Sequence, residues 1–316
     1  MISAKNYAAQ CERDLLLLRK SFTDDARRRM YAELAIGINK SVHFATSDNG
    51  IIFDSGLKGL CGINLRLPYP KITVEYAITK VSKELPEDFE SAYGKHIMST
   101  KALVLVNEIE GDELDIFIED LKNNSFGRIV LSEPMMSWIH TTDRVVQFFP
   151  FAGFKDAYWS PGSVQVILNS EWKAEDGSMQ LFYLPLDEIP PGPMDGTYLS
   201  HLCKVAFAHT YGVLEFLEAL TCKNVKQSIH QEARKNNDKW VRLGKLPMYE
   251  TKVLTIDTTE KEYIGSSGGS GRSHASPRQH LRRGHIRKLE SGNIWVNSCV
   301  VGSAENGRLD KSYKVK

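Results

Sequence analysis

The chain has 316 residues, of which 42% are hydrophobic and 25% charged, and this ordinary composition excludes the disordered and fibrous classes of protein. Its 40 basic and 39 acidic residues give a net charge of +1, so no global field draws it to nucleic acid or to a membrane. A polyanionic partner would therefore have to be bound by a local patch. The length suits one large domain or two ordinary ones.

The cysteines favour an intracellular compartment. There are five, widely scattered, and none forms a CxxC pair, which argues against a disulfide framework and against a four-cysteine zinc site. The N-terminus lacks the apolar core of a signal peptide, and the longest apolar runs are too short to span a bilayer. We therefore expect a cytoplasmic protein with no membrane partner, no metal and no cofactor.

Two helices are predicted over residues 2–38. Leu15, Leu16 and Leu18 give the first an apolar face, and Thr23 is the expected N-cap of the second, ahead of an acidic first turn.

From about residue 50 to 190 the pattern becomes strand-like, with no helices between the strands, which favours an antiparallel sheet. The candidate strands are 72–78, 102–106, 114–119, 128–131, 144–149, 163–168 and 179–183. Gly111 and Asp112 separate the second from the third, so these two are expected to form a hairpin. The aromatic-rich stretch 138–159 is expected to be core, with a base-stacking platform as the alternative.

Residues 196–221 form the clearest predicted helix, because apolar residues recur there at helical spacing. Residues 223–245 contain seven lysines and arginines against two acids, with Trp240 among them. We interpret them as a solvated helix face that could extend a nucleic-acid patch.

The C-terminal residues predict a small β-rich unit. A strand is expected at 252–256, a hairpin of 285–290 with 293–301 around Ser291-Gly292, and a closing strand at 312–315. The fold predicted for the whole chain is α+β: N-terminal helices, a central mainly antiparallel sheet with a packing helix, and this unit. The expected domains are 1–245 and 246–316.

The chemically unusual segment is 272–288, RSHASPRQHLRRGHIRK, which has six lysines and arginines, three histidines and no acid. Such a stretch repels itself, and a polyanion is the usual reason for its presence. Metal-free cleavage of RNA needs a base, an acid and cations on the phosphate. His280 and His285 are the candidate base and acid. The candidate phosphate-binding residues are Arg278, Arg282, Arg283 and Arg287.

Three other interpretations stay open. The first is a segment that binds nucleic acid or an acidic protein surface without catalysis, and the second is a solvated loop with one structural histidine. A zinc site of His274, His280, His285 and Cys299 is a weaker hypothesis, because its spacing fits no standard finger and the arginines oppose a cation.

The motif SPRxHLRRGHIR at 276–287, followed by GNIWVNSCVVG at 292–302, resembles the C-terminus of uncharacterised bacteriophage and prophage proteins. The resemblance touches most of the chain but is specific only at this end. It implies expression inside an infected bacterium and brings no established activity or catalytic residue. The leading hypothesis is thus a phage-type protein that engages nucleic acid, RNA above DNA, through 272–288. The alternative is a non-enzymatic inhibitor that binds a host bacterial protein.

Overall fold

A computed structural model of the chain describes residues 5–50, 67–78, 100–122, 143–153, 158–162, 164–168, 181–185, 196–256, 278–282, 285–290, 292–296, 299–301 and 303–308. Within these ranges there are five α-helices: α1 (Tyr7–Leu18), α2 (Asp25–Lys40), α3 (Asp112–Lys122), α4 (Gly196–Leu220) and α5 (Arg234–Arg242). Two short 3-10 turns, Arg19–Ser21 and Asp48–Gly50, follow α1 and the first strand.

The same ranges contain fourteen strands: β1 (Val42–Ala45), β2 (Lys71–Ala77), β3 (Lys101–Glu110), β4 (Arg144–Gly153), β5 (Ser160–Pro161), β6 (Val164–Leu168), β7 (Leu181–Pro185), β8 (Val225–His230), β9 (Thr251–Ile256), β10 (Arg278–Arg282), β11 (His285–Leu289), β12 (Gly292–Val296), β13 (Cys299–Val301) and β14 (Ser303–Arg308).

One large sheet contains the first nine strands in the order β7-β6-β4-β3-β2-β1-β9-β8, with β5 paired to β4. Strand β1 runs parallel to both β2 and β9, and the other pairs in this sheet are antiparallel. The strands β10–β14 form two small sheets, β13-β10-β14 and β11-β12. The predicted α+β class, with a mainly antiparallel central sheet, is confirmed.

Both faces of the large sheet are covered by helices. Because side chains alternate along a strand, β3 directs Val104 and Val106 to one face and Leu103 and Leu105 to the other. The first pair packs in a cluster with α4, and the second packs in a cluster with α1 and α2. The protein is therefore a three-layer structure, in which a helix pair and one long helix enclose the sheet. Burial of each large apolar side chain stabilises the folded protein by about 1.5–3 kcal/mol.

Most of the sequence-predicted elements are confirmed. The two N-terminal helices, the long helix and the strands at 72–78, 144–149, 163–168, 179–183 and 252–256 are present, the ends differing by a few residues. The hairpin around Gly292 is also present as β11–β12. The aromatic stretch contributes Phe148, Phe151 and Trp159 to the core. The predicted strands 128–131 and 312–315 lie outside the described residues.

Three expectations are wrong. Residues 114–119 belong to helix α3, which buries Leu114 and Phe117 and leaves Ile116 62% exposed. The predicted hairpin with 102–106 is therefore absent, and β3 continues to Glu110 beside β4. The N-cap of α2 is Asp24, one residue later than expected, since its carboxylate accepts hydrogen bonds from the N–H groups of Ala26 and Arg27.

The third wrong expectation is that residues 223–245 form one helix face. Residues 225–230 form β8 instead, and α5 starts only at Arg234. The neighbouring strand β9 lies in the large sheet, between β1 and β8, although the sequence placed it in the C-terminal unit. The division of the chain into domains 1–245 and 246–316 stays a prediction.

Glu75 on β2 binds the N-terminus of α1. Its side chain is 2% exposed and accepts four hydrogen bonds from backbone N–H groups, those of Lys5 (2.8 Å), Asn6 (3.1 Å), Tyr7 (2.7 Å) and Ala8 (3.3 Å). Burial raises the pKa of Glu75, and the four N–H groups oppose that rise. The first N–H groups of a helix have no partner within it, so this carboxylate satisfies donors that burial would otherwise leave unpaired.

His43 on β1 is a second buried polar side chain with close contacts. Its Nδ1 lies 2.6 Å from the hydroxyl of Thr73, and its ring stacks on Tyr249 with the centroids 4.7 Å apart. Burial lowers the pKa of His43 to about 4. The side chain is therefore neutral at pH 7 and adds no positive charge.

Acid should destabilise the protein partly through His43. Because its folded pKa of about 4 lies below the ordinary value of about 6.5, the unfolded state takes up the proton first as the pH falls. This one group should lower the free energy of unfolding by about 2 kcal/mol between pH 7 and pH 5. Urea unfolding of His43→Gln should show a decrease smaller by that amount than the wild-type decrease.

The exposed histidine of β8 supplies the matched control, His230→Gln. A wild-type pH dependence in His43→Gln would contradict the assignment of a buried, neutral His43.

Candidate nucleic-acid interface

Residues 223–245 form an exposed basic surface at one end of the large sheet. Strand β8 is the last strand in the sheet order, in which β9 is its one neighbour. All seven lysines and arginines in this range are exposed: Lys223, Lys226, Arg234, Lys235, Lys239, Arg242 and Lys245. The ring of Trp240 is partly exposed among them. We call residues 223–245 the basic surface.

Helix α5 is held in place at both its middle and its end. The side-chain amide of Asn237 donates to the carbonyl of Met248 and accepts from its N–H, both at 2.9 Å. At the C-terminus, Gly244 adopts the left-handed conformation with φ of 68°, which a residue with a Cβ adopts less readily. The N–H of Lys245 then reaches the carbonyl of Trp240 at 2.8 Å and closes the helix.

The start of α5 goes against an elementary rule of helix electrostatics. Its first turn begins with Arg234 and Lys235, contains no acidic residue, and has no side-chain cap at Ala233. The N-terminus of a helix carries partial positive charge, so cations there are unfavourable. Local choices that weaken a helix often serve a function, and here they concentrate positive charge on an exposed turn.

The β11–β12 hairpin is attached to the basic surface. The N–H of Lys223 donates to the carbonyl of Asn293 at 3.0 Å, and the Asn293 amide donates to the hydroxyl of Thr221 at 3.1 Å. Gly292, with φ of 116°, forms the turn, and a Cβ there would lie 2.8 Å from Cε of Lys223. In the hairpin register Lys288 is opposite Asn293. Strand β12 thus contacts Lys223 at Asn293 and pairs with β11.

The sequence-predicted site residues occupy two different small sheets. Arg278, His280 and Arg282 are on β10, where His280 is opposite Val301 of β13. His285 and Arg287 occupy alternate positions of β11, opposite Val296 and Ile294 of β12. No strand pairing within the described residues joins β10 to β11. Arg283 and His274 lie outside the described residues, and the roles of all these side chains stay predictions.

A metal site finds no support among the residues that the structure describes. No group of three or more His, Cys, Asp or Glu in that part of the chain could hold a metal ion. Cys299 is one of the four residues in the zinc hypothesis, and its partner in the β10–β13 pairing is Arg282.

Sequence reasoning missed strand β8 and the attachment of the hairpin. The β-branched residues Val225 and Ile229 were the available signal for a strand, but the surrounding charges resembled a helix face. Nothing in the sequence indicates that Asn293 contacts Thr221, because the two residues are 72 positions apart.

Among the described helices, none is long and apolar enough to cross a membrane. No family model, curated protein or solved structure matches the chain. A functional assignment therefore rests on the chain's own residues.

Proposed function

We propose that the protein engages nucleic acid, RNA above DNA, through the basic surface together with the His/Arg segment 272–288. The observation that supports this most is the attachment of β12 to Thr221 and Lys223. It joins β12, the partner strand of 285–289, to the first residues of the basic surface. The resemblance to phage proteins suggests the cytoplasm of an infected bacterium as the setting.

The charge distribution is consistent with a polyanionic ligand. The net charge of the chain is only +1, so seven exposed cations within 23 residues (223–245) are a local concentration that the rest of the chain offsets. Exposed lysines and arginines bind phosphates without reading sequence. Trp240 lies among these cations, and an unpaired base of a single strand can stack on such a ring, which favours RNA.

Binding to a short mixed-sequence RNA should weaken as salt is raised. Neutralising two phosphate contacts with Lys235→Gln/Lys239→Gln should reduce the slope of log K against log salt by about 1.4, because each contact on a single strand contributes about 0.7. Fluorescence anisotropy of labelled RNA over a series of salt concentrations measures both quantities.

The matched control is Arg29→Gln/Lys40→Gln, which removes two exposed cations of α2 outside the basic surface. An RNA affinity that does not depend on salt, or an equal change in slope in the control, would contradict the proposal.

The sharper form of the proposal is a metal-independent ribonuclease. His280 and His285 would serve as base and acid, and Arg278, Arg282, Arg283 and Arg287 would hold the phosphate. In EDTA, the wild type should cleave bacterial RNA with a bell-shaped dependence on pH. His280→Ala and His285→Ala should each abolish cleavage while RNA binding persists, and His230→Ala should still cleave.

Salt-dependent binding without cleavage would leave the protein a non-catalytic RNA binder and would sink the ribonuclease form. The alternative, an inhibitor that binds a host protein, predicts a retained host protein whose binding is insensitive to nuclease treatment.

A further inference from the structure

A groove of about 720 Å³ lies between α1 and segment 246–249. Its walls are α1, the 3-10 turn Arg19–Ser21, the start of α2 and the segment itself. The lining residues that matter to its chemistry are Arg13, Leu16, Leu17, Arg19, Lys20 and Arg28.

The apolar part of the groove is a pair of exposed leucines. Helix α1 buries Tyr7, Ala8, Cys11 and Leu15 against the sheet, so Leu16 and Leu17 point away from it and are 39% and 43% exposed. Leu246 and Pro247 lie across the groove from the helix. This surface offers burial to apolar side chains of a partner.

The charge of the groove is positive. Four cations line it against the single carboxylate of Glu12. Glu12 accepts hydrogen bonds from the hydroxyl of Tyr249 and from the amide of Asn39. Burial, and then the hydrogen bond to Glu12, raise the pKa of Tyr249, so its hydroxyl stays protonated and keeps donating. The one carboxylate is thus engaged inside the protein.

The four cations differ in whether they are paired with a carboxylate. Arg13 is paired with the buried carboxylate of Asp14 at 2.7 Å, and Arg28 lies 3.4 Å from the exposed Asp25. Neither Arg19 nor Lys20 has a carboxylate within ion-pair distance among the described residues. These two, with Arg28, are the charges most available to an anionic partner.

The far wall is fixed by hydrogen bonds and by a ring contact. The side-chain amide of Asn6 donates to the carbonyl of Pro247 at 3.0 Å, and its oxygen accepts from the N–H of Tyr249 at 3.2 Å. Met248 is bound on the other side by Asn237, and the ring of Tyr249 stacks on His43. A preformed groove binds with a smaller loss of conformational entropy.

We propose that this groove binds an acidic peptide segment with apolar side chains, presented by a partner protein. Arginine forms bidentate pairs with carboxylates, and the leucines accept apolar side chains between those pairs. A helix laid in such a groove is a common recognition mode. RNA fits less well, because the leucines and the proline offer no stacking surface and the ring of Tyr249 is already stacked on His43.

The test is a selection of a random library of short displayed peptides on the full-length protein. The enriched peptides should combine aspartate or glutamate with leucine, isoleucine or phenylalanine. Anisotropy titrations of one synthetic enriched peptide then measure its affinity for variants.

Two pairs of variants differ only in whether the residue lines the groove. Arg28→Glu and Leu17→Ser should each weaken the peptide by about tenfold or more. Arg29→Glu, on the next residue of α2, and Ile36→Ser, at a 50% exposed position of α2, should leave it unchanged. Arg28 and Arg29 are both exposed on α2, so both variants should fold.

The selection overturns the proposal if no peptide is enriched, if the enriched peptides lack acidic and apolar residues, or if they bind Arg28→Glu as tightly as wild type. The groove lies outside the basic surface, so Arg28→Glu should retain wild-type RNA binding. Failure of one proposal is therefore distinguishable from failure of the other.

Discussion

The contact between Glu75 and the N-terminus of α1 fixes the rest of the described structure. A carboxylate taken from water in the middle of a sheet is costly unless it is hydrogen-bonded, and the backbone N–H groups of residues 5–8, at the start of α1, supply those bonds. Each partner satisfies the other, so neither remains buried without a partner. Asn6, the residue before the helix, adopts the left-handed conformation with φ of 57° and directs its amide to Pro247 and Tyr249. Through Met248 and Asn237 the same chain of contacts reaches α5.

Both proposed binding surfaces are consequences of that chain of contacts. Segment 246–249 is one wall of the groove on α1, and it also supports the helix that carries most of the basic surface. It leads directly into β9, which pairs with β1 and leaves β8 at the end of the sheet. Lysines on such a strand have an ordinary structural explanation, since charge on an edge strand prevents pairing with another molecule. That explanation does not cover Arg234 and Lys235 at the start of α5, where positive charge weakens the helix.

The elements predicted well from the sequence are those whose pattern reports burial directly. Helix α4, with 25 residues, is long and regularly patterned, so its period is unambiguous. Leu114, Ile116 and Ile118 alternate with other residues, which predicts a strand where the structure has helix α3. Burial follows the helical spacing of Leu114 and Phe117, and Ile116 is exposed. An amphipathic helix and a half-buried strand can share a short stretch of letters, and only tertiary packing distinguishes them.

The sites were harder to predict for a different reason. The sequence marks the His/Arg segment by composition, but composition does not tell which strands pair, and His280 and His285 lie on strands of two different sheets. The groove has no sequence signature at all. It depends on contacts such as that of Asn6 with Tyr249, whose residues are 243 positions apart. Glu75 also looks like an ordinary polar residue of an alternating strand, yet it is buried.

Hydrogen exchange of Glu75→Gln tests this account most directly. A glutamine offers one acceptor oxygen instead of two, and its NH2 group faces N–H groups of α1. The account predicts that amides at the start of α1 exchange about tenfold faster or more, and that exchange also rises in 246–249 and in α5. Glu33→Gln, at an exposed position of α2, should leave these segments unchanged. Wild-type exchange in 246–249 and α5, with α1 alone affected or with no change, would contradict the claim that Glu75 holds these elements together.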